Sequence, residues 1–143
     1  MKLLAVMIAS VFAISGCDRS QHVSASAGPV PFTHIVVDAH GPEDLWAKAV
    51  GDINGDGRID LIVGGNASGG LVWYENPSWA RHSIDDKGSF GTDVEVADIN
   101  RDGRNDVVAV RGKQLVWYRH GDWAMSIVAE QRFHDVEAVD LNG

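Results

Sequence analysis

From about residue 46 onward, apolar residues come in short runs of four to six separated by clusters of Gly, Asp, Asn and Ser. Leu61-Ile62-Val63 and Leu115-Val116-Trp117-Tyr118 are apolar at consecutive positions, and no run offers a 3.6-residue period. Val, Ile, Trp and Tyr dominate these runs, which are short and bounded by turn residues, so they read as strands. A strand that is apolar on both faces is buried on both faces, unlike a half-exposed hairpin strand. In the better-defined stretch the pattern predicts strands at about Asp93–Ile99, Asp106–Val110, Gln114–Arg119 and Ala124–Ala129.

The same pattern occurs twice. The segment Val50-Gly51-Asp52-Ile53-Asn54-Gly55-Asp56-Gly57-Arg58-Ile59-Asp60 returns 46 residues later as Val96-Ala97-Asp98-Ile99-Asn100-Arg101-Asp102-Gly103-Arg104-Asn105-Asp106. A trailing block, Leu71-Val72-Trp73-Tyr74, returns as Leu115-Val116-Trp117-Tyr118, and Trp79 returns as Trp123, both at a spacing of 44. A third copy opens at Asp140-Leu141-Asn142-Gly143. Two blocks repeating in order at near-constant offset define one structural unit used more than once. A four-stranded unit of about 45 residues, apolar on both faces and flanked by like neighbours, describes a β-propeller blade. The expected fold is therefore all-β, with four-stranded antiparallel blades at about 46–85 and 92–129 and a truncated third at 134–143. Phe32-Thr33-His34-Ile35-Val36 resembles the stretch Trp79 to Ile84 that leads into the outer strand. It is expected to be an N-terminal closure strand, a fourth strand without its own first three.

Each repeated loop carries oxygen-bearing side chains at positions 1, 3, 5 and 9: Asp52, Asn54, Asp56 and Asp60, then Asp98, Asn100, Asp102 and Asp106. Alternate positions in a tight loop turn toward a common centre, and the carbonyls of Arg58 and Arg104 at position 7 add a further oxygen. Several hard oxygen ligands on a flexible loop select Ca²⁺, whereas Mg²⁺ demands stricter octahedral geometry and zinc prefers His or Cys. Two Ca²⁺ ions are expected, one per complete loop, with Asp140 and Asn142 beginning a third site. An EF-hand is excluded, because it needs a bidentate Glu at position 12 and flanking helices. Position 12 is Val63 in one loop and Ala109 in the other, both in strands.

These residues resemble the calcium-binding FG-GAP and VCBS-type repeats of integrin-like and bacterial surface propellers. The resemblance rests on Asp52–Asp60 and Asp98–Asp106, each followed by an aliphatic strand, and extends over about Phe32 to Gly143. Trp73-Tyr74-Glu75-Asn76 is a frequent companion in bacterial members; Trp117-Tyr118-Arg119-His120 departs from it. The resemblance implies that calcium rigidifies the turn between the first two strands of a blade and is structural rather than catalytic.

The N-terminus has a different character. Lys2 precedes a 12-residue apolar stretch, Leu3–Ile14, and then Ile14-Ser15-Gly16-Cys17. This resembles the signal and lipobox of bacterial lipoprotein precursors, which implies removal of 1–16 and lipidation of Cys17. Residues 17–31 would then be a lipidated Cys and a Ser/Ala/Gly/Pro-rich tether. The protein would be exported and lipid-anchored in the bacterial cell envelope. Asp18 matches the enterobacterial inner-membrane retention rule, but the leaflet stays open.

Charge and composition narrow the remainder. The 143-residue chain has a net charge of −8, which argues against nucleic-acid binding. Its single Cys excludes a disulfide framework. Seven of the 20 acidic residues lie in the repeated loops, so much of the acidity belongs to the expected metal sites. Trp73, Tyr74, Trp117 and Tyr118 are expected to pack between blades, and Trp79 and Trp123 to be half-exposed. Trp46, Thr92 and His134, with Ala47, Asp93 and Asp135 next to them, start the innermost strands. Glu95 and Glu137 lie further along, and a solvated or hydrogen-bonded role is expected for that pair. No histidine spacing suits zinc, and no nucleophile elbow or phosphate loop is present. The reading is an N-terminal part of a longer lipoprotein, a propeller that binds a protein or a polysaccharide. The alternative is part of a carbohydrate-active enzyme such as a polysaccharide lyase, although no catalytic residues are identified in this segment.

Overall fold

A computed structural model describes residues 32–139. Cys17, the leader and tether, Asp140 and Asn142 lie outside the described residues. The chain divides into two compact units at His34/Ile35, and the sheets belong to the second.

Eight strands are present: β1 Glu43–Gly51, β2 Asp60–Ser68, β3 Leu71–Glu75, β4 Ala80–Asp85, β5 Val94–Ala97, β6 Asp106–Arg111, β7 Gln114–Tyr118 and β8 Met125–Glu130. They form two four-stranded antiparallel sheets, ordered β1-β2-β3-β4 and β5-β6-β7-β8. This is the all-β, blade-like architecture expected from the apolar runs. The register repeats as closely as the sequence does. Leu61 pairs with Tyr74 and Ile62 with Trp73 in the first sheet, while Val107 pairs with Tyr118 and Val108 with Trp117 in the second.

β1 begins three residues earlier than the expected blade boundary at 46. Its register shifts between Glu43 and Leu45 and again between Leu45 and Ala47, and Asp44 has φ 55°. The extension pairs across these bulges with Gly65 and Ser68 in a run whose alternation the sequence pattern does not show. Residues 32–36, expected as a closure strand, are not in a strand, and Ile35 and Val36 are exposed. An outer strand needs a neighbouring third strand with a free edge. In both described sheets that edge is already taken by β4 or β8. Residues 131–139 likewise form no strand.

The main core fills the seam between the two sheets. Ala47, Ile62, Leu71, Trp73 and Ile84 from one sheet meet Val94, Val107, Ala109, Val116 and Tyr118 from the other, with Phe90 between them. The alternating side chains of β3 face opposite ways. Leu71 and Trp73 join this seam, whereas Val72 and Tyr74 join a smaller cluster with Val63, Val37 and Trp79. Sheets approach most closely at β1 and β5, where a Cβ on Gly51 would lie 2.7 Å from Val96 Cγ1. Trp79 and Trp123 are half-buried, as expected, and share a left-handed backbone at φ 55° and 51°.

A polar latch closes each apolar cluster. The Tyr118 hydroxyl donates to Asp85 Oδ2 at 2.7 Å, and Arg111 Nε donates to the same oxygen at 3.1 Å. The Tyr74 hydroxyl donates to Asp38 Oδ2 at 2.8 Å. In both cases the carboxylate follows an aliphatic residue, Val37 or Ile84, that packs into the same cluster as the tyrosine ring. Burial, then the carboxylate, pushes Tyr74 up to about 12, and the same causes raise Tyr118 further. The His40 amide, then the Tyr74 hydroxyl, hold Asp38 below its ordinary value. A depressed carboxyl pKa gives stability that is full above the unfolded-state value and is lost as pH falls through the folded one.

Tyr118→Phe removes a hydrogen bond to a largely buried carboxylate and should cost about 1.5–3 kcal/mol. Tyr74→Phe, whose partner is more exposed, should cost less. Urea unfolding of both variants checks this through the midpoint at unchanged slope.

Candidate functional site

The two acidic loops connect β1 to β2 and β5 to β6, and the repeated spacing produces repeated geometry. In the first loop Asp52 accepts from Gly55 N at 2.8 Å and Asp56 N at 3.1 Å through Oδ1, and from Gly57 N at 2.8 Å through Oδ2. Asn54 Oδ1 also accepts from Asp56 N at 3.1 Å, and Asp56 Oδ1 accepts from Arg58 N at 2.8 Å. In the second loop Asp98 accepts from Asp102 N at 3.0 Å and Gly103 N at 2.8 Å. Asn100 Oδ1 accepts from Asp102 N at 2.9 Å, and Asp102 Oδ1 from Arg104 N at 2.9 Å.

These bonds explain the spacing. Short acidic side chains reach backbone N–H groups two to five residues on, which winds the chain into successive tight turns. Gly57 and Gly103, at φ 82° and 84°, hold the left-handed position that such winding requires. One Asp56 N–H points at both Asp52 Oδ1 and Asn54 Oδ1, so those two oxygens are brought together, as their counterparts are in the second loop.

Asp60 and Asp106 are placed differently from the other loop acids. Both are fully buried at 0% exposure. Asp60 Oδ2 accepts from Ile53 N at 3.0 Å and Oδ1 from Asn76 N at 2.9 Å. Asp106 Oδ2 accepts from Ile99 N at 3.2 Å and Oδ1 from His120 N at 2.7 Å. Each carboxylate therefore ties its own loop to the chain just after β3 or β7. Sequence spacing groups them with the other oxygens but does not reveal this clamp.

Among the described residues, no three His, Cys, Asp or Glu side chains are gathered as an ion-holding group. Each loop carries side-chain oxygens at positions 1, 3 and 5, the first carboxylate half-buried and the Asn and second carboxylate exposed. That set is oxygen-only and anionic, and it fits a hard cation by donor chemistry.

Several contacts around the loops escape the sequence pattern. Asn54 Nδ2 donates to Glu75 Oε1 at 3.3 Å, and Glu75 Oε2 lies 3.1 Å from His82 Nε2. His82 stacks on Trp73 with ring centroids 4.2 Å apart. Asn76 Nδ2 donates to Ile59 O at 3.0 Å. Glu75 and Asn76 therefore brace the first loop, and the second sheet's Arg119 pairs with Asp122 instead. The two loops are also joined directly. Asn105 Nδ2, at position 8 of the second, donates to Asp52 O at position 1 of the first, at 2.7 Å.

On the inner strands, Trp46 is exposed and Ala47 buried, while Asp93 Oδ2 accepts from Val136 N at 2.9 Å. Burial, then Asp93 and Glu137, raise the Glu95 carboxyl above its ordinary value. The repeat thus brings Glu95 and Glu137 into one electrostatic neighbourhood, while His134 and Asp135 are exposed and adjacent.

Residues 52–109 match the family model of the FG-GAP-like repeat. The matched segment runs from the first loop, through β2 to β5, to the fourth residue of the strand after the second loop, so it spans one full repeat period. Searches of curated proteins and of solved structures found no match.

Asp60→Ala strands two buried N–H groups and should cost about 2–5 kcal/mol. Asp56→Ala, on the exposed side, should cost under about 1 kcal/mol when no divalent ion is present. Equilibrium unfolding in EGTA compares the two.

Proposed function

We propose that the protein is a calcium-stabilised, β-propeller-like interaction module, exported and held at a bacterial membrane by lipidated Cys17. The observation that carries this reading is the second use, in the second sheet, of the whole first unit: the acidic loop, the buried clamp and the seam residues. Units of this kind bury a continuous core by stacking and present loops as a broad surface, which suits binding of a protein or a polysaccharide.

In this reading Asp52, Asn54, Asp56 and the Arg58 carbonyl hold one Ca²⁺, and Asp98, Asn100, Asp102 and the Arg104 carbonyl hold a second. Asp60 and Asp106 provide the frame on which those oxygens sit. The ion would supply positive charge to offset the loop carboxylates and would fix the turn between the first two strands. Asp140 and Asn142 would begin a third such loop.

Calorimetric titration should find two Ca²⁺ ions in the loops of residues 52–60 and 98–106, and thermal stability should rise with Ca²⁺ by mass action, by ~2.7 kcal/mol at a hundredfold excess over Kd. Asp52→Asn with Asp98→Asn should abolish both effects; unchanged stoichiometry and affinity in this double variant would sink the ligand assignment. Expression in a bacterium fed labelled palmitate should label the wild type and not Cys17→Ser. Equal labelling of the two would remove the anchor.

A further inference from the structure

A second site is visible at the sheet end opposite the acidic loops. There a recess of about 410 Å³ is lined by Arg111, Lys113, Gln114, Glu130, Gln131 and Arg132. The volume falls within the ~300–1,000 Å³ of ligand clefts. Three of the chain's 12 basic side chains meet here on a protein of net charge −8. Lys113 and Arg132 are exposed and make no hydrogen bond or ion pair among the described residues. Glu130 and the Asp85 partner of Arg111 offset part of this charge, but with Lys113 and Arg132 the recess stays net positive and attracts an anion.

Arg111 is the fixed member. Its Nε donates to Asp85 Oδ2, and Asp85 is itself held by the Tyr118 hydroxyl and by Lys87 N at 2.8 Å. In the chain leading from the first sheet to the second, the guanidinium lies against Gly88. A Cβ on Gly88 would sit 2.6 Å from Arg111 Nε and 3.1 Å from Cζ. Bonding through Nε orients the guanidinium plane and leaves its terminal amino groups for a second, charge-assisted contact.

The polar lining selects among anions. Gln114 Nε2 donates to Glu130 Oε1 at 2.8 Å, leaving Glu130 Oε2 as an acceptor beside the Gln131 amide. An acidic peptide side chain offers a carboxylate but no hydroxyl donor for Glu130 Oε2. A sugar ring offers one carboxylate to the cations and hydroxyls to the amides and to Glu130.

We propose that this recess binds the carboxylate of an acidic saccharide, with Arg111 as the oriented anchor and Lys113 and Arg132 as flanking charges. This deepens the interaction-module reading by naming a ligand class, and it rests on that reading. It does not use the metal loops.

The test is calorimetric titration of the full chain, at one fixed free Ca²⁺ concentration, with trigalacturonate, maltotriose and a hexaglutamate peptide. Trigalacturonate should bind, more weakly as salt rises, and at least about tenfold more tightly than the other two. Lys113→Ala with Arg132→Ala should weaken it about tenfold at unchanged thermal stability. Equal affinity in the double variant overturns the proposal, as does maltotriose binding as tightly. Hexaglutamate binding equally well reassigns the recess to acidic peptides and also overturns it. Calcium stabilisation with no uronate binding discards the saccharide site and leaves the metal-stabilised module standing; loss of both discards both.

Discussion

The structure depends on two carboxylates taken out of water and given backbone N–H groups in exchange. Asp60 and Asp106 are fully buried, a costly place for an ionised group unless its oxygens are engaged. Each meets that condition by bridging the loop behind it and the turn after the third strand of its sheet. The loop's shape, the start of the second strand and the exit of the third are thereby fixed by one side chain. The exposed acids of the loop can then be tuned for an ion, because they do not also have to hold the sheet together.

The seam between sheets combines a non-directional and a directional interaction. Trp73, Phe90, Val107, Val116 and their neighbours supply area, at about 25 cal/mol per Å² of apolar surface removed from water. Area alone tolerates sliding. The Tyr118–Asp85–Arg111 contacts and the Asn105–Asp52 contact do not, since each has a single satisfying geometry. They sit near opposite ends of the strands, so they set the angle between sheets as well as the distance.

Much of this was legible from residue order. Consecutive aliphatic runs located the four strands of the second sheet within a few residues, and the approximate limits of the first sheet, because residues buried on both faces leave an unbroken apolar signature. The loop spacing located the tight turns, because short carboxylates cap N–H groups at fixed separations. What the pattern could not separate was Asp52 from Asp60. The two are the same residue type in one motif, yet one is half-buried within the loop and the other fully buried beneath it. Burial is decided by where β2 begins and by Asn76, sixteen residues away. Asn105 was invisible for a similar reason: it occupies the position of Ile59, and its partner lies 53 residues earlier. The extended start of β1 was missed because bulges break alternation, and residues 32–36 carried strand-like residues without a described edge to pair with.

The latches have a direction in time. In each, the acceptor precedes its donor along the chain: Asp38 before Tyr74, and Asp85 before Tyr118. A ribosome therefore releases the carboxylate first, and the tyrosine that needs it arrives when its partner is already waiting. When the Tyr74 or Tyr118 hydroxyl joins the chain, the carboxylate it needs is already there.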